Sequence, residues 1–301
     1  MKVLVSGATG FVGAALCAKL EHEGHPVVRL VRDPARVGQA AFLWEPRAGR
    51  LDPAAVTGLD AVVHLAGENI AQGRWTHEKK ERIHQSRVLG TRLLAESLAR
   101  AKPPPRVVVS ASAIGFYGDR GEEILTEDST GGSGFLAEVC AAWESPVLTL
   151  SDAGIRPVVV RIGMVLGHGG GALTRLASLF RLGLGGVLGD GRQHVSWIHL
   201  DDLLRVIVAA LGDPRLAGPI NAVAPESVSN REFTRILAAT VHRPAWFRIP
   251  GFAMRSILGG MASEVLLAGA RVRPARLESA GFDWRFPTLS AALNDLLKHP
   301  K

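Results

Sequence analysis

The residues best suited to chemistry lie within the first thirteen positions. Gly7, Gly10 and Gly13 stand three apart, directly after the apolar run Val3-Leu4-Val5 and before an Ala/Leu-rich stretch that ends near Gly24. A strand, a glycine turn and a helix in that order form the setting in which this motif holds a pyrophosphate. The turn needs a residue that tolerates positive φ, the backbone must approach the phosphates, and helix must pack on strand with no Cβ between them. The start of the helix adds free N–H donors and the positive end of a dipole. Gly7, Thr9, Gly10, Phe11, Val12 and Gly13 are therefore the expected contacts. An ordinary tight strand–helix turn is the competing reading.

The end of the second strand pattern, Pro26–Val31, selects the dinucleotide. An NAD site places an acid there to take both ribose hydroxyls. This chain has Val31-Arg32, with Arg29 nearby, and a guanidinium grips a 2′-phosphate in a charge-assisted way. Asp33 competes, but it lies past the strand next to Pro34 and is expected to point into the loop. The cofactor expected is NADP(H), held by Arg32.

The elements that position these residues alternate. Asp60–Leu65 and Arg106–Ala111 read as further strands, separated by a long helical pattern over Glu78–Ala101. A helix over Phe135–Asp152 and a buried strand over Arg156–Ile162 follow, and Pro219–Val223 reads as a last strand. The fold class predicted is α/β, a Rossmann-type doubly wound parallel sheet with a smaller, mostly helical C-terminal lobe. The division expected is 1–228 for the nucleotide domain, with 168–200 crossing to the substrate side, and 229–301 for the lobe.

Composition narrows the function class. Hydrophobic residues make up 47% of the 301 and charged residues 21%, enough for a large core without disorder. The net charge of +7 raises nucleic acid as a partner, but the basic residues are scattered and the cluster Lys79-Lys80-Glu81-Arg82 is broken by an acid. Nucleic acid and membrane partners are not expected, and no stretch approaches the ~20 apolar residues of a spanning helix. The two cysteines, Cys17 and Cys140, have no metal-ligand spacing, so no metal is expected and the compartment expected is cytoplasmic. A small-molecule substrate is the expected partner, and the chain is expected to be a monomer or homodimer.

Beyond the glycine motif, several runs carry a more specific likeness. His64-Leu65-Ala66-Gly67-Glu68-Asn69-Ile70, Ser112-Ala113-Ile114-Gly115-Phe116-Tyr117-Gly118, Phe135-Leu136-Ala137-Glu138-Val139-Cys140, Arg161-Ile162-Gly163-Met164-Val165-Leu166-Gly167 and Trp197-Ile198-His199 are the main ones. Leu266 to Ala270, Pro274 and Gly281-Phe282 extend it, so the sequence resembles, over essentially its whole length, the epimerase-like family of NADP-binding atypical short-chain dehydrogenases/reductases. Members are described as nucleoside-diphosphate-sugar epimerase-like. The resemblance implies that Leu65, Ala66 and Gly67 line the cofactor, that Arg87 (or less directly Arg82) reaches it from the long helix, and that Val165 packs at the nicotinamide end.

The usual catalytic pair of short-chain dehydrogenases, Tyr-x-x-x-Lys, is missing. The only tyrosine is Tyr117, four residues before Gly121, and no lysine occurs between Lys102 and Lys298. Three residues stand in as candidates. Ser112 either bonds a substrate oxygen or caps a turn, and Tyr117 either donates a proton or packs on the cofactor. Glu68 either acts as base or substrate ligand, or caps a helix. Glu138, Cys140 and His199 read as structural, Asp201 as a helix cap, and Gly169-Gly170-Gly171 as a flexible lid. Two functions remain open: an NADP(H)-dependent oxidoreductase or epimerase on a small polar carbonyl or sugar-like substrate, and a non-catalytic NADP(H) sensor or scaffold.

Overall fold

The structure is a computed structural model that describes residues 1–71 and 73–298. Along the chain, β1 (Val3–Ser6) leads into α1 (Phe11–His22), then β2 (Val27–Val31), β3 (Ala41–Glu45), β4 (Arg50–Leu51) and β5 (Ala61–His64). The long helix α2 (His77–Arg100) is followed by β6 (Val107–Ala113), β7 (Ile124–Leu125), α3 (Phe135–Leu148), β8 (Arg156–Ile162) and β9 (Met164–Leu166). Next come α4 (Gly171–Arg181), β10 (Gly186–Leu188), β11 (His194–Val195), β12 (Trp197–His199), α5 (Leu200–Gly212) and β13 (Gly218–Ala222). The remainder holds β14 (Val228–Ser229), α6 (Asn230–Thr240), β15 (Phe247–Ile249), α7 (Gly251–Leu258), β16 (Arg271–Val272), α8 (Ala275–Ser279) and α9 (Leu289–Lys298).

The central sheet has the order β13-β8-β6-β5-β1-β2-β3-β4, parallel except for the last pair. It is the doubly wound α/β sheet expected from the alternation, and β1 shows why. Its side chains point to opposite faces in turn. Val3 and Val5 enter one core with Leu16 and Leu20 of α1 and Leu203 and Ile207 of α5. Leu4 enters the other with Leu94 and Leu98 of α2 and Val147 of α3. Both faces are covered, so the strands read as continuous apolar runs rather than alternating ones. β3 and the edge strand β4 went unforeseen in the sequence, β3 although Ala41-Phe42-Leu43-Trp44 is an apolar run; Trp44 on β3 is buried against the edge of the His64 ring.

A third core lies beside the sheet. It joins Leu173 and Phe180 of α4, Phe233 and Leu237 of α6, and Leu289 and Leu293 of α9 to Trp197 and Leu166. It therefore draws on segments before position 228 as well as after it. The lobe is also less helical than the sequence suggested, because β15 pairs with β10 and β14 with β11. Asp202 anchors it: this carboxylate, fully buried, accepts the backbone N–H groups of Arg285 and Phe286, each at 2.9 Å.

Candidate functional site

The glycine turn is built by collision avoidance. Gly7 has φ of +70°, and a Cβ there would lie 2.8 Å from the Leu65 carbonyl carbon. At Gly13 a Cβ would lie 2.1 Å from the Gly7 oxygen, which no side chain tolerates. These two glycines serve the fold, letting β5 and α1 close on the end of β1. Gly10 is different: its φ is an ordinary −79°, and both it and Thr9 are exposed. A Cβ at Gly10 would come 3.2 Å from the Gly7 carbonyl oxygen, a tight contact rather than a collision. No side chain caps α1 and no acid occupies its first turn, so its donors and positive dipole end face the cleft.

A buried polar chain fixes the facing loop. Ser6 Oγ lies 2.6 Å from His64 Nδ1 and accepts the N–H groups of Leu65 (3.1 Å) and Ala66 (3.3 Å). His64 Nε2 reaches Thr91 Oγ1 of α2 at 3.0 Å. Complete burial pushes the imidazole down to about 4, so it is neutral at pH 7. Leu65 and Ala66 are thereby held close against Gly7. Nothing in the sequence marked Ser6 and His64 as a pair, because 58 residues separate them.

Beyond this loop the cleft is basic. Arg32 is exposed at the end of β2, and Asp33 turns away to accept the N–H of Ala35 at 3.0 Å. Glu68 sits among cations: its carboxylate accepts Lys79 Nζ at 2.8 Å and lies 3.7 Å from Arg82 Nε. The hydrogen bond from Lys79 first, then the charges of Lys79, Arg82 and Arg32, hold its pKa below the usual carboxylate value. A carboxyl so acidified is a poor base near neutral pH; its geometry is that of an anchor for Lys79. Arg87 lies against Gly67, where a Cβ would come 3.2 Å from the guanidinium carbon, and its Nη1 donates to the Glu68 carbonyl at 3.1 Å. The Trp143 ring faces that guanidinium at 4.9 Å.

Ser112 and Tyr117 are placed otherwise than a catalytic role requires. Both are buried. Ser112 Oγ donates to Glu144 Oε1 at 2.6 Å, and Glu144 also accepts Arg161 Nε (3.0 Å) and Nη2 (2.8 Å). The Tyr117 hydroxyl donates to Asn221 Oδ1 at 2.8 Å and accepts from Arg161 Nη1 at 3.0 Å. Burial raises the phenol's pKa, and the Arg161 charge only partly offsets this. Tyr117, read as either a proton donor or a residue packed on the cofactor, is thus a core residue, and Ser112, read as either a substrate ligand or a turn cap, is a rung of an ion-pair network. Arg161 and Glu144, the centre of that network, were not singled out in the sequence as charged partners. Seventeen residues and two element types separate them.

The remaining expectations divide. Val12, Leu65 and Val165 pack on one core, the one that also holds Ala8 of the glycine turn. Phe11 points elsewhere: its ring fills the space left by Gly167, Gly170 and Gly171, where added Cβ atoms would meet it at 2.8, 2.5 and 3.1 Å. Gly170 and Gly171 are a socket for this ring rather than a free lid, while Gly169 borders open space. Glu138 is exposed and Cys140 buried, the latter pushed up to about 11 mainly by burial. The cap of α5 is His199, whose Nδ1 accepts the Asp201 N–H at 3.1 Å; Asp201 was expected to do this. Among the described residues no group of three or more His, Cys, Asp or Glu is placed to hold a metal, and no helix is long and apolar enough to cross a membrane.

Comparison with known proteins adds to this geometry. The sequence model of the NAD dependent epimerase/dehydratase family matches residues 3–223, and a domain of unknown function (DUF1731) matches residues 249–296. The epimerase family protein Mb2239 of Mycobacterium bovis is 39% identical, with 99% of this chain and 98% of that one covered. The crystal structure of the human epimerase family protein SDR39U1 with NADPH superposes with a TM-score of 0.90 at 36% identity, covering 99% and 100%. A nucleoside-diphosphate sugar epimerase from Corynebacterium glutamicum gives 0.82 at 40% identity, covering 99% of this chain and 58% of that one. With its glycine turn, doubly wound sheet and end-to-end match to these proteins, the chain belongs to the NAD dependent epimerase/dehydratase family.

Proposed function

We propose that this chain binds NADP(H) and acts as an NADP(H)-dependent oxidoreductase or epimerase on a carbonyl or carbinol substrate, without a tyrosine–lysine pair. The observations that carry the cofactor reading are the exposed Arg32 directly after β2, with Asp33 turned into its own loop, and the uncapped start of α1. The human relative crystallised with NADPH supports it. Gly10 and the first turn of α1 take the pyrophosphate, Arg32 the 2′-phosphate, and Leu65, Ala66 and Val165 the nicotinamide half. Lys79, Arg82 and Arg87 keep the cleft positive, with Glu68 orienting Lys79. When bound, the nicotinamide supplies hydride chemistry. The chain's part is to orient it and exclude water, because the Ser112 hydroxyl and the Tyr117 phenol are taken up by the Glu144–Arg161 network.

A second reading, an NADP(H) sensor without turnover, is favoured by the burial of Ser112 and Tyr117. One pair of measurements tests both. NADPH and NADH are titrated against the wild type and Arg32→Ala. Loss of a charge-assisted contact to phosphate weakens NADPH about 10- to 100-fold and leaves NADH nearly unchanged. An equal loss for both nucleotides overturns the 2′-phosphate assignment. NADPH oxidation across a carbonyl panel then separates enzyme from sensor: tight binding with no turnover on any substrate favours the sensor.

A further inference from the structure

Most of the large apolar side chains that this chain exposes lie on one side of the lobe. Leu179 is in the last turn of α4, and Leu182 and Leu184 are in the loop after it. Trp246 and Phe247 stand at the start of β15, and Phe252 is in the first turn of α7. The parallel pairing of β10 with β15 brings the first group to the second, and Arg243 Nε donates to the Arg181 carbonyl oxygen at 3.1 Å. Phe247 and Ile249 point to one face of β15, and Ile249 shares the wall of an apolar cavity of about 100 Å³ with Leu179 and Leu184. The exposed side chains are projections rather than the floor of a groove: Trp246 is 87% exposed, Leu182 73% and Phe252 70%.

The same segments carry cations and no acid. Arg181, Arg243, Arg248 and Arg255 are exposed, and neither 153–189 nor 233–263 contains Asp or Glu. Of the acids that border these stretches, Asp190 accepts the Arg192 N–H at 3.0 Å and Glu232 pairs with Arg235 at 2.8 Å. Along the sequence the arginines are scattered and suggest no membrane partner; the fold gathers them beside the apolar projections.

We propose that this face docks on an anionic membrane surface. Trp246, Leu182 and Phe252 enter the boundary between headgroups and acyl chains, and the four arginines face the lipid phosphates. A bilayer is deformable and takes projecting side chains as they stand, whereas a folded partner needs a socket shaped for each. Tryptophan suits that boundary, because its ring is apolar and its N–H finds a polar partner among the headgroups. A second copy of the chain would set this cationic surface against itself, a like-charge contact that opposes association. The contact is peripheral, made by side chains of two loops and one short helix. Docking here goes beyond the NADP(H)-linked reading and does not depend on it.

The test is co-sedimentation of the full-length protein with vesicles of phosphatidylcholine, alone or with about 30% phosphatidylglycerol. Binding is expected to the anionic vesicles only, and to weaken more than about tenfold as salt rises from about 0.05 to 0.5 M. Trp246 is the exposed member of the six tryptophans, so its emission shifts to shorter wavelength on anionic vesicles, and Trp246→Ser removes the shift. That variant and Leu182→Ser each lower the affinity about tenfold. Arg181→Gln combined with Arg255→Gln lowers it about 25-fold, at about fivefold for each charge. Thermal melting of every variant, followed by circular dichroism, stays at the wild-type temperature and reports that the fold is intact. Failure to sediment with anionic vesicles overturns the membrane and leaves an acidic protein as the occupant. Self-association without lipid, read by analytical ultracentrifugation, overturns it in favour of a second copy. Equal binding to neutral vesicles, or an affinity that ignores all of these substitutions, also overturns the docking surface.

Discussion

Replacing Tyr117 by phenylalanine distinguishes a structural from a catalytic role for the only tyrosine. The hydroxyl donates to Asn221 Oδ1 at 2.8 Å and accepts from Arg161 Nη1 at 3.0 Å, in a site with no exposure to solvent. Its loss leaves a buried carbonyl and a buried charged donor each short of one partner. Removing a hydrogen bond to a charged group costs about 1.5–3 kcal/mol. The unfolding entropy of a 301-residue chain, at about 2.1 cal/mol/K per residue, is about 0.6 kcal/mol/K. The expected fall in Tm is therefore about 2–5 °C. Differential scanning calorimetry with and without NADPH measures it, and fluorescence titration gives NADPH affinity, expected to be unchanged within about twofold. Glu144→Gln extends the series, because Arg161 then lies buried without a countercharge; at about 3–5 kcal/mol the same arithmetic gives a fall of about 5–8 °C. A Tyr117→Phe protein that keeps its Tm but loses NADPH binding or turnover more than about tenfold would refute the reasoning and return Tyr117 to the cleft.

Other outcomes follow from the same geometry. Gly13→Ala places a methyl 2.1 Å from the Gly7 oxygen; it should lower Tm by several degrees and abolish NADPH binding, both read in a thermal-shift titration. His64 is depressed from 6.5 to about 4 by burial, so the unfolded chain takes up a proton first as pH falls. Its contribution is fully present above pH 6.5 and is lost between there and about pH 4, up to about 3 kcal/mol; urea titrations at stepped pH should show this slope, flattened in His64→Gln. Cys17 and Cys140 are buried with raised pKa values, Cys140 to about 11. Ellman's reagent at pH 8 should leave both unlabelled in the native protein and react with both in denaturant. Asp202→Ala removes the acceptor of two backbone N–H groups of the lobe; limited proteolysis should then cut near Arg285 while the glycine-turn domain stays intact.

What the sequence revealed follows from how far apart the interacting groups are. The turn at Gly7–Gly13 and the acid-free end of β2 are local, so residue type and spacing expose them directly. Asp33 turned into its loop as its neighbour Pro34 suggested. The Glu144–Arg161 pair and the Ser6–His64–Thr91 chain are assembled across strands, and no spacing rule connects their members. Tyr117 misled for a related reason. Gly115, Gly118 and Gly121 around it look like an exposed loop, yet at Gly118 a Cβ would come 2.8 Å from the Ser133 carbonyl oxygen. Gly115 and Gly118 admit close packing, and only Gly121 of the three opens to solvent. The lobe was partly legible because its helices are amphipathic, whereas its strands have two or three residues and carry no period.

The seating of Phe11 also constrains how this sequence can drift. Three separate positions, Gly167, Gly170 and Gly171, are crowded by one ring contributed from more than 150 positions away in the chain, with Leu200 adding to it at Gly167. None of the four can change alone without a collision or a void, so they form a single unit of inheritance. A relative with a small residue at the Phe11 position is expected to tolerate alanine at the Gly170 position, and one that keeps the ring is not; Gly171, at φ of +72°, stays glycine in both. In this chain, Gly170→Ala should be deleterious alone and rescued by Phe11→Leu, a compensation that a purely flexible loop would not show.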